Sequence, residues 1–164
     1  MVAAILAWAF FLPAGAALAA AAVPAVTARA AALPAAADLR ADGAAARDQR
    51  VPILLFFNRL GCPYCERALR EYLTPMQRDP AYAGRVLFRQ VEIDRPDPLV
   101  DFAGRATTQQ EFASRYQIRL TPTIWFVDGA GNVLADPIVG LPTLDFFGAY
   151  LDQSIADSLA KLRP

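Results

Sequence analysis

Phe57-Asn58-Arg59-Leu60-Gly61-Cys62-Pro63-Tyr64-Cys65 is the stretch on which the reading of this chain turns. Upstream, Ile53-Leu54-Leu55-Phe56-Phe57 has no polar residue, which predicts a short central strand buried on both faces. Downstream, Ala68, Leu69, Tyr72, Leu73 and Met76 recur at three- and four-residue steps with Glu66, Arg67, Arg70 and Glu71 between them. That spacing predicts a helix from Pro63 to about Arg78. Cys62 then falls at the N-cap, and Pro63 at the first helical position, where a missing N–H costs nothing. The free N–H groups of Tyr64 and Cys65 are expected to point at the Cys62 sulfur. With the positive end of the helix dipole, they favour a thiolate there. Cys65 lies one turn inside, with less solvent and no such donors. Cys62 is therefore read as the attacking sulfur and Cys65 as the resolving one.

The rest of the composition narrows the chemistry to this pair. The chain of 164 residues suits one domain. Sixteen basic residues balance sixteen acidic ones, so no charge excess points to nucleic acid. There is no histidine, which removes histidine-based triads and His-ligated zinc. Two cysteines cannot close a four-ligand zinc site alone, although half of a dimeric site is an alternative use. A purely structural crosslink is a poor use of the pair: closing so short a loop contributes only about 2 kcal/mol, against about 3 for fifteen residues. Dithiol redox chemistry needs no metal, nucleotide or flavin, because the two sulfurs carry both electrons.

Alanine supplies 34 residues, 19 of them within the first 37, and the first charged side chain is Arg29. Val2–Leu12 is an apolar run, followed by Pro13, Gly15 and the small-residue pattern Ala17-Leu18-Ala19. Residues 1–22 read as a signal peptide, although no Lys or Arg precedes the apolar run. An uncleaved anchor is the alternative, since Val2–Val26 is uncharged and long enough to cross a bilayer. Both readings put the remainder outside the cytoplasm, in the periplasm or an equivalent compartment. Residues 23–37 read as an Ala/Pro-rich linker and 38–164 as the domain.

Within that domain, Asp38 is a candidate cap for a short helix ending near Arg50. Val86–Ile93 reads as a second strand and Leu99–Gln117 as a helical region, with Thr107 or Thr108 capping its latter half. Thr123–Val127 reads as a third strand, turning through Asp128–Asn132 into a fourth at Val133–Ala135. Leu144, Phe147, Leu151, Ile155 and Leu159 mark a last helix from Pro142 onward. The order implies an α/β fold around a mixed sheet of about four strands.

A strand entering CPYC, a crossover helix, Leu120-Thr121-Pro122-Thr123 ahead of a strand, a hairpin with Gly131, and Gly140 before the last helix resemble the thioredoxin superfamily. The resemblance runs over residues 51–164. Among relatives it is most similar to exported bacterial thioredoxin-like proteins, including the SoxW type associated with sulfur oxidation, and to the catalytic domains of disulfide isomerases. The resemblance implies a thioredoxin-like fold and protein thiol–disulfide exchange. It implies a cis Pro122 against the disulfide, beside Pro63 and Tyr64, which read from their place between the cysteines as active-site support. It also implies that the Thr121 backbone pairs with substrate. From the residues alone, an X-Pro at a strand start is trans by default.

The chain departs from cytoplasmic thioredoxins in carrying Phe56 where they have a buried acid, and Pro-Tyr where they have Gly-Pro between the cysteines. CPYC also occurs in glutaredoxins. The expected partners are protein thiols or disulfides and a membrane or periplasmic redox protein; a monomer is expected. The CPYC pair, the proline and the helix start suggest a poise more oxidising than thioredoxin, between roughly −120 and −230 mV. The alternatives are a thiol peroxidase and a non-catalytic peptide-binding module using the groove around Thr121 and Pro122; Tyr64, exposed by position, reads either as lining that groove or as a helix-surface residue. Glu66 reads as a solvated first-turn acid, Arg59 as either a loop charge or a source of positive potential, and Phe56, Phe57, Trp125 and Phe126 as core. Glu92 and Asp94 end a strand, with nothing in the sequence to bring them to a nucleophile.

Overall fold

The computed structural model describes residues 33–141 and 144–163. The signal-like segment, the linker as far as Ala32, and Pro142 and Thr143 lie outside the described residues. Among these residues no helix is long and apolar enough to cross a membrane.

The sheet has four strands in the order β2-β1-β5-β6. These are β1 (Ile53–Asn58), β2 (Leu87–Glu92), β5 (Thr123–Val127) and β6 (Ile138–Val139). β1 runs parallel to β2, with Ile53 opposite Leu87, and antiparallel to β5, with Ile53 opposite Val127; β5 and β6 are antiparallel. Every residue of β1 is buried, as the apolar run Ile53–Phe57 predicts, and the burial extends to the polar Asn58 at its end. Alternation along the strand splits the core. Leu54 and Phe56 face the layer that holds Cys62, Cys65, Phe147 and Leu151. Ile53, Leu55 and Phe57 face the layer of α1 (Leu39–Gln49) and α4 (Gln109–Arg115), with Leu39, Leu99 and Phe112.

Asp38 caps α1 as expected, its side chain accepting from Ala41 N–H at 2.9 Å. The end of the stretch read as a linker packs onto the domain: Leu33 and Ala36 are buried, and Ala35 bridges to Gln90 beside β2.

The helix expected from Pro63 to Arg78 is one helical path with a wide turn inside it. α2 (Pro63–Ala68) passes into a π-helical segment, Leu69–Leu73, and then α3 (Thr74–Arg78). Pro75 explains the interruption, because it has no N–H to give and its ring crowds the carbonyl four residues back. The Thr74 N–H reaches Leu69 O instead, in the five-residue step of a π-turn.

The largest correction concerns Leu99–Gln117. Its first part is a hairpin of β3 (Pro98–Val100) and β4 (Ala106–Thr108), and only Gln109–Arg115 is α-helical. Asp101 causes it. Its buried carboxylate accepts the N–H groups of Ala103 and Arg105 and the guanidinium groups of Arg105 and Arg115, while Gly104 turns the chain at φ 81°. A local carboxylate–backbone network of this kind competes with helix formation. Thr108 caps α4 in a capping box with Glu111, as one of the two expected candidates.

A second correction concerns the last strand. The Asp128–Asn132 turn is present, with Asp128 accepting the N–H groups of Ala130 and Asn132. Beyond it, only Val133 bridges back to Val127, and continuous pairing with β5 comes at Ile138–Val139. Pro137, lacking a donor, interrupts the intervening segment. The final helix α5 spans Phe147–Leu162, after a short 3-10 turn at Leu144–Phe146. It buries Phe147, Leu151 and Ile155 at helical spacing.

Candidate active site

β1 ends at Asn58, and after four intervening residues the chain enters α2 at Pro63. Gly61 makes this possible, turning at φ 69°, where any other side chain meets strain. Cys62 is the N-cap (φ −90°, ψ 104°) and Pro63 occupies the first turn. The Cys65 N–H donates to Cys62 Sγ at 3.2 Å, one of the two donors expected there. The Glu66 N–H donates to Cys62 O at 3.0 Å. Cys62 and Cys65 are joined in a disulfide with their Cα atoms 5.2 Å apart. Cys62 keeps 8% of its surface in solvent and Cys65 only 1%, so an incoming group meets Cys62 first. Exposure, cap position and donor all single out the same sulfur.

Across from the disulfide, the Thr121–Pro122 peptide bond is cis. Thr121 O lies 3.8 Å from Cys62 Sγ and Thr121 Oγ1 lies 3.7 Å from it. Pro122 is buried, and its carbonyl accepts the Gly140 N–H at 2.7 Å, tying the loop to the end of β6. Leu60, Tyr64 and Leu120 are large apolar side chains left exposed, each within two residues of Cys62 or Thr121. The structure thus brings Cys62, Cys65, Pro63, Thr121 and Pro122 together, with Tyr64 on the rim. Glu66 and Arg59 are exposed, and Phe56, Phe57 and Phe126 are core, as read.

Two residues escaped sequence reading. Asp94 Oδ2 accepts the Leu60 N–H at 3.3 Å, so the acid that appeared remote from any nucleophile pins the loop two residues before Cys62. The signal available was its place at the end of the strand adjacent to β1. Asn58 is the other: a polar residue closing an otherwise apolar strand, buried near the loop. Among the described residues no cluster of His, Cys, Asp or Glu is arranged to hold a metal.

The sequence model of a family described as a thioredoxin-like domain matches residues 39–155. The chain belongs to the thioredoxin-like family. Solved structures agree on the fold. Mitochondrial thioredoxin 3 of Saccharomyces cerevisiae superposes with a TM-score of 0.52 at 16% identity, over 76% of this chain and 94% of that one. A poplar thioredoxin h mutant gives 0.56 at 17% identity, covering 82% of this chain and 91% of the other. Fasciola hepatica thioredoxin gives 0.51 at 16%, over 76% and 97%. No curated protein matches the sequence. At these identities the likeness establishes the thioredoxin-like architecture, and the Cys62–Cys65 pair within it supports a thiol–disulfide redox function.

Proposed function

We propose that this chain is an exported thiol–disulfide oxidoreductase acting on protein cysteines. The observation that carries the reading is the capped sulfur: Cys62 Sγ accepts the Cys65 N–H at 3.2 Å at the start of a helix and is the more exposed half of the disulfide. In the reducing direction, the Cys62 thiolate attacks a substrate disulfide. A Cys62–substrate disulfide forms and the substrate's other sulfur leaves as a thiolate, which takes a proton. Cys65 then loses its proton, attacks Cys62 Sγ and displaces the second substrate thiolate. Two electrons pass to the substrate, and this chain ends as the disulfide. The reverse sequence oxidises a substrate dithiol. Thr121 and Pro122 flank the reacting sulfur, and the apolar rim of Leu60, Tyr64 and Leu120 suits an extended peptide around a cysteine.

Export rests on the apolar segment Val2–Leu12 and the small residues after it. In that compartment the partners are protein thiols or disulfides, with a membrane or periplasmic redox protein resetting the pair. An electron-donating partner would make it a reductase there, and an oxidising partner a disulfide-forming enzyme. The test is mechanism-based trapping. Reduced Cys65→Ser mixed with a disulfide-bonded protein should accumulate a covalent complex through Cys62, released by reductant, and Cys62→Ser should form none. Equal trapping by both variants, or none by either, would contradict the reading.

A further inference from the structure

Two buried side-chain oxygens have no hydrogen-bond partner among the described residues: Asn58 Oδ1 and Gln90 Oε1. They are not scattered. Gln90 pairs with Phe56 across the β1–β2 ladder, and Asn58 pairs with Glu92, two residues further along. Side chains alternate between sheet faces along a strand. Asn58 therefore shares the face of Leu54 and Phe56, and Gln90 that of Phe88, which is the layer containing Cys62 and Cys65. The two amides flank Phe56 on the face against which the disulfide packs, and Asn58, at the strand end, is nearer the Cys62 loop. It is 6% exposed. An unpaired buried acceptor is costly and calls for a state in which it is paired.

Reduction supplies such a state. When a donor dithiol reduces the pair, the donor sulfurs join and the Cys62–Cys65 bond breaks. Two electrons arrive on the sulfurs of this chain. One donor proton ends on Cys65; the other resides on Cys62 or passes to solvent when Cys62 ionises. Cys65 then holds an S–H donor in a layer built mainly of apolar side chains.

We propose that Asn58 Oδ1 accepts the S–H of Cys65 in the reduced protein, with Gln90 as the second amide of the same polar seat. This rests on the thiol–disulfide reading above and deepens it. The Asn58 oxygen is unpaired in the disulfide form and paired in the dithiol form, so it favours the reduced state and makes the pair more oxidising. It supplies a polar contact for the resolving thiol on the strand where Phe56 offers none.

The test is the equilibrium of the full chain with reduced and oxidised glutathione. Asn58→Leu removes the acceptor at similar volume. It should shift the constant toward the disulfide form by about tenfold, or about 30 mV for a two-electron couple. Gln90→Met should shift it the same way by less. An Asn58→Leu constant within twofold of the wild type would overturn the proposal while leaving the dithiol chemistry standing. A wild-type chain that never equilibrates with glutathione would overturn the chemistry itself, and this inference with it.

A second readout does not depend on that variant folding. In reduced Cys62→Ser, the only S–H belongs to Cys65. Its infrared stretching band should lie below that of a thiol dissolved in hydrocarbon. A band at the hydrocarbon position would refute the contact.

Discussion

Cys65 donates its backbone N–H to the sulfur of Cys62 across 3.2 Å, so the main chain of one cysteine caps the sulfur of the other. In the proposed exchange, this one contact serves both the helix cap and the reacting sulfur. Serine is a good N-cap, and alanine a poor one. Relative to the reduced wild type, Cys62→Ser should change stability by less than about 1 kcal/mol, while Cys62→Ala should lose roughly 1 kcal/mol. Both should lack exchange activity. Urea unfolding of the reduced proteins, with a disulfide-reduction assay alongside, separates the two roles.

Asp94 holds the approach to the site through the Leu60 N–H. An asparagine can accept the same bond; an alanine cannot. Asp94→Ala should slow disulfide exchange severalfold by freeing the loop, and Asp94→Asn should restore most of the rate. Equal losses in the two variants would place the effect in the charge rather than in the loop.

Asp101 predicts an acid limb in the stability profile. Burial alone would raise its pKa, but hydrogen bonds from the Arg105 N–H, the Arg105 guanidinium and Arg115 outweigh burial and hold the carboxyl below its ordinary range. A group depressed in the folded state contributes full stability above its unfolded value, near 3.9. That contribution is lost as pH falls through the folded value. Asp101→Asn should therefore be destabilising at pH 7, by about 1–2 kcal/mol, since the amide oxygen still serves the backbone N–H groups and the two arginines left behind are solvent-exposed. Its stability should also fall less steeply than the wild type's below about pH 4. Urea midpoints measured across pH 2.5 to 7, an interval of roughly that range, give both results.

Gly61 and Gly131 both turn with positive φ, at 69° and 88°. They differ in surroundings: a Cβ on Gly61 meets nothing within 4 Å, whereas one on Gly131 would come within 2.6 Å of Phe102 Cδ2. Gly61→Ala should cost about 1–2 kcal/mol, the strain of the left-handed conformation alone. Gly131→Ala should cost clearly more, since it adds a clash with a packed ring. Thermal unfolding of the two variants under identical conditions ranks them.

The strand β1, the cap at Asp38, the capped Cys62 and the turn at Asp128 were legible because each is written locally, in an apolar run or a capping residue. The hairpin at Pro98–Thr108 was not. Its cause is Asp101 collecting two backbone N–H groups and two guanidinium groups, one of them Arg115 from α4, and no periodicity within the segment reports that. The return to β5 at Ile138 rather than Val133 was missed for a related reason, because edge pairing is decided by the sheet as a whole. At the site, residues joined to the cysteines by sequence could be read directly. Thr121 and Pro122 became visible through family resemblance, and Asp94 only through the β1–β2 pairing that carries it to Leu60.

The pH dependence of alkylation of reduced Cys65→Ser tests the account at its centre, since Cys62 is then the only thiol. A sulfur held by a helix start should react with a midpoint of about 7 or below, because the thiolate is favoured there. A midpoint near 8.5, the value of an unperturbed cysteine, would mean that the cap does not activate Cys62 and would remove the basis for assigning it the attack.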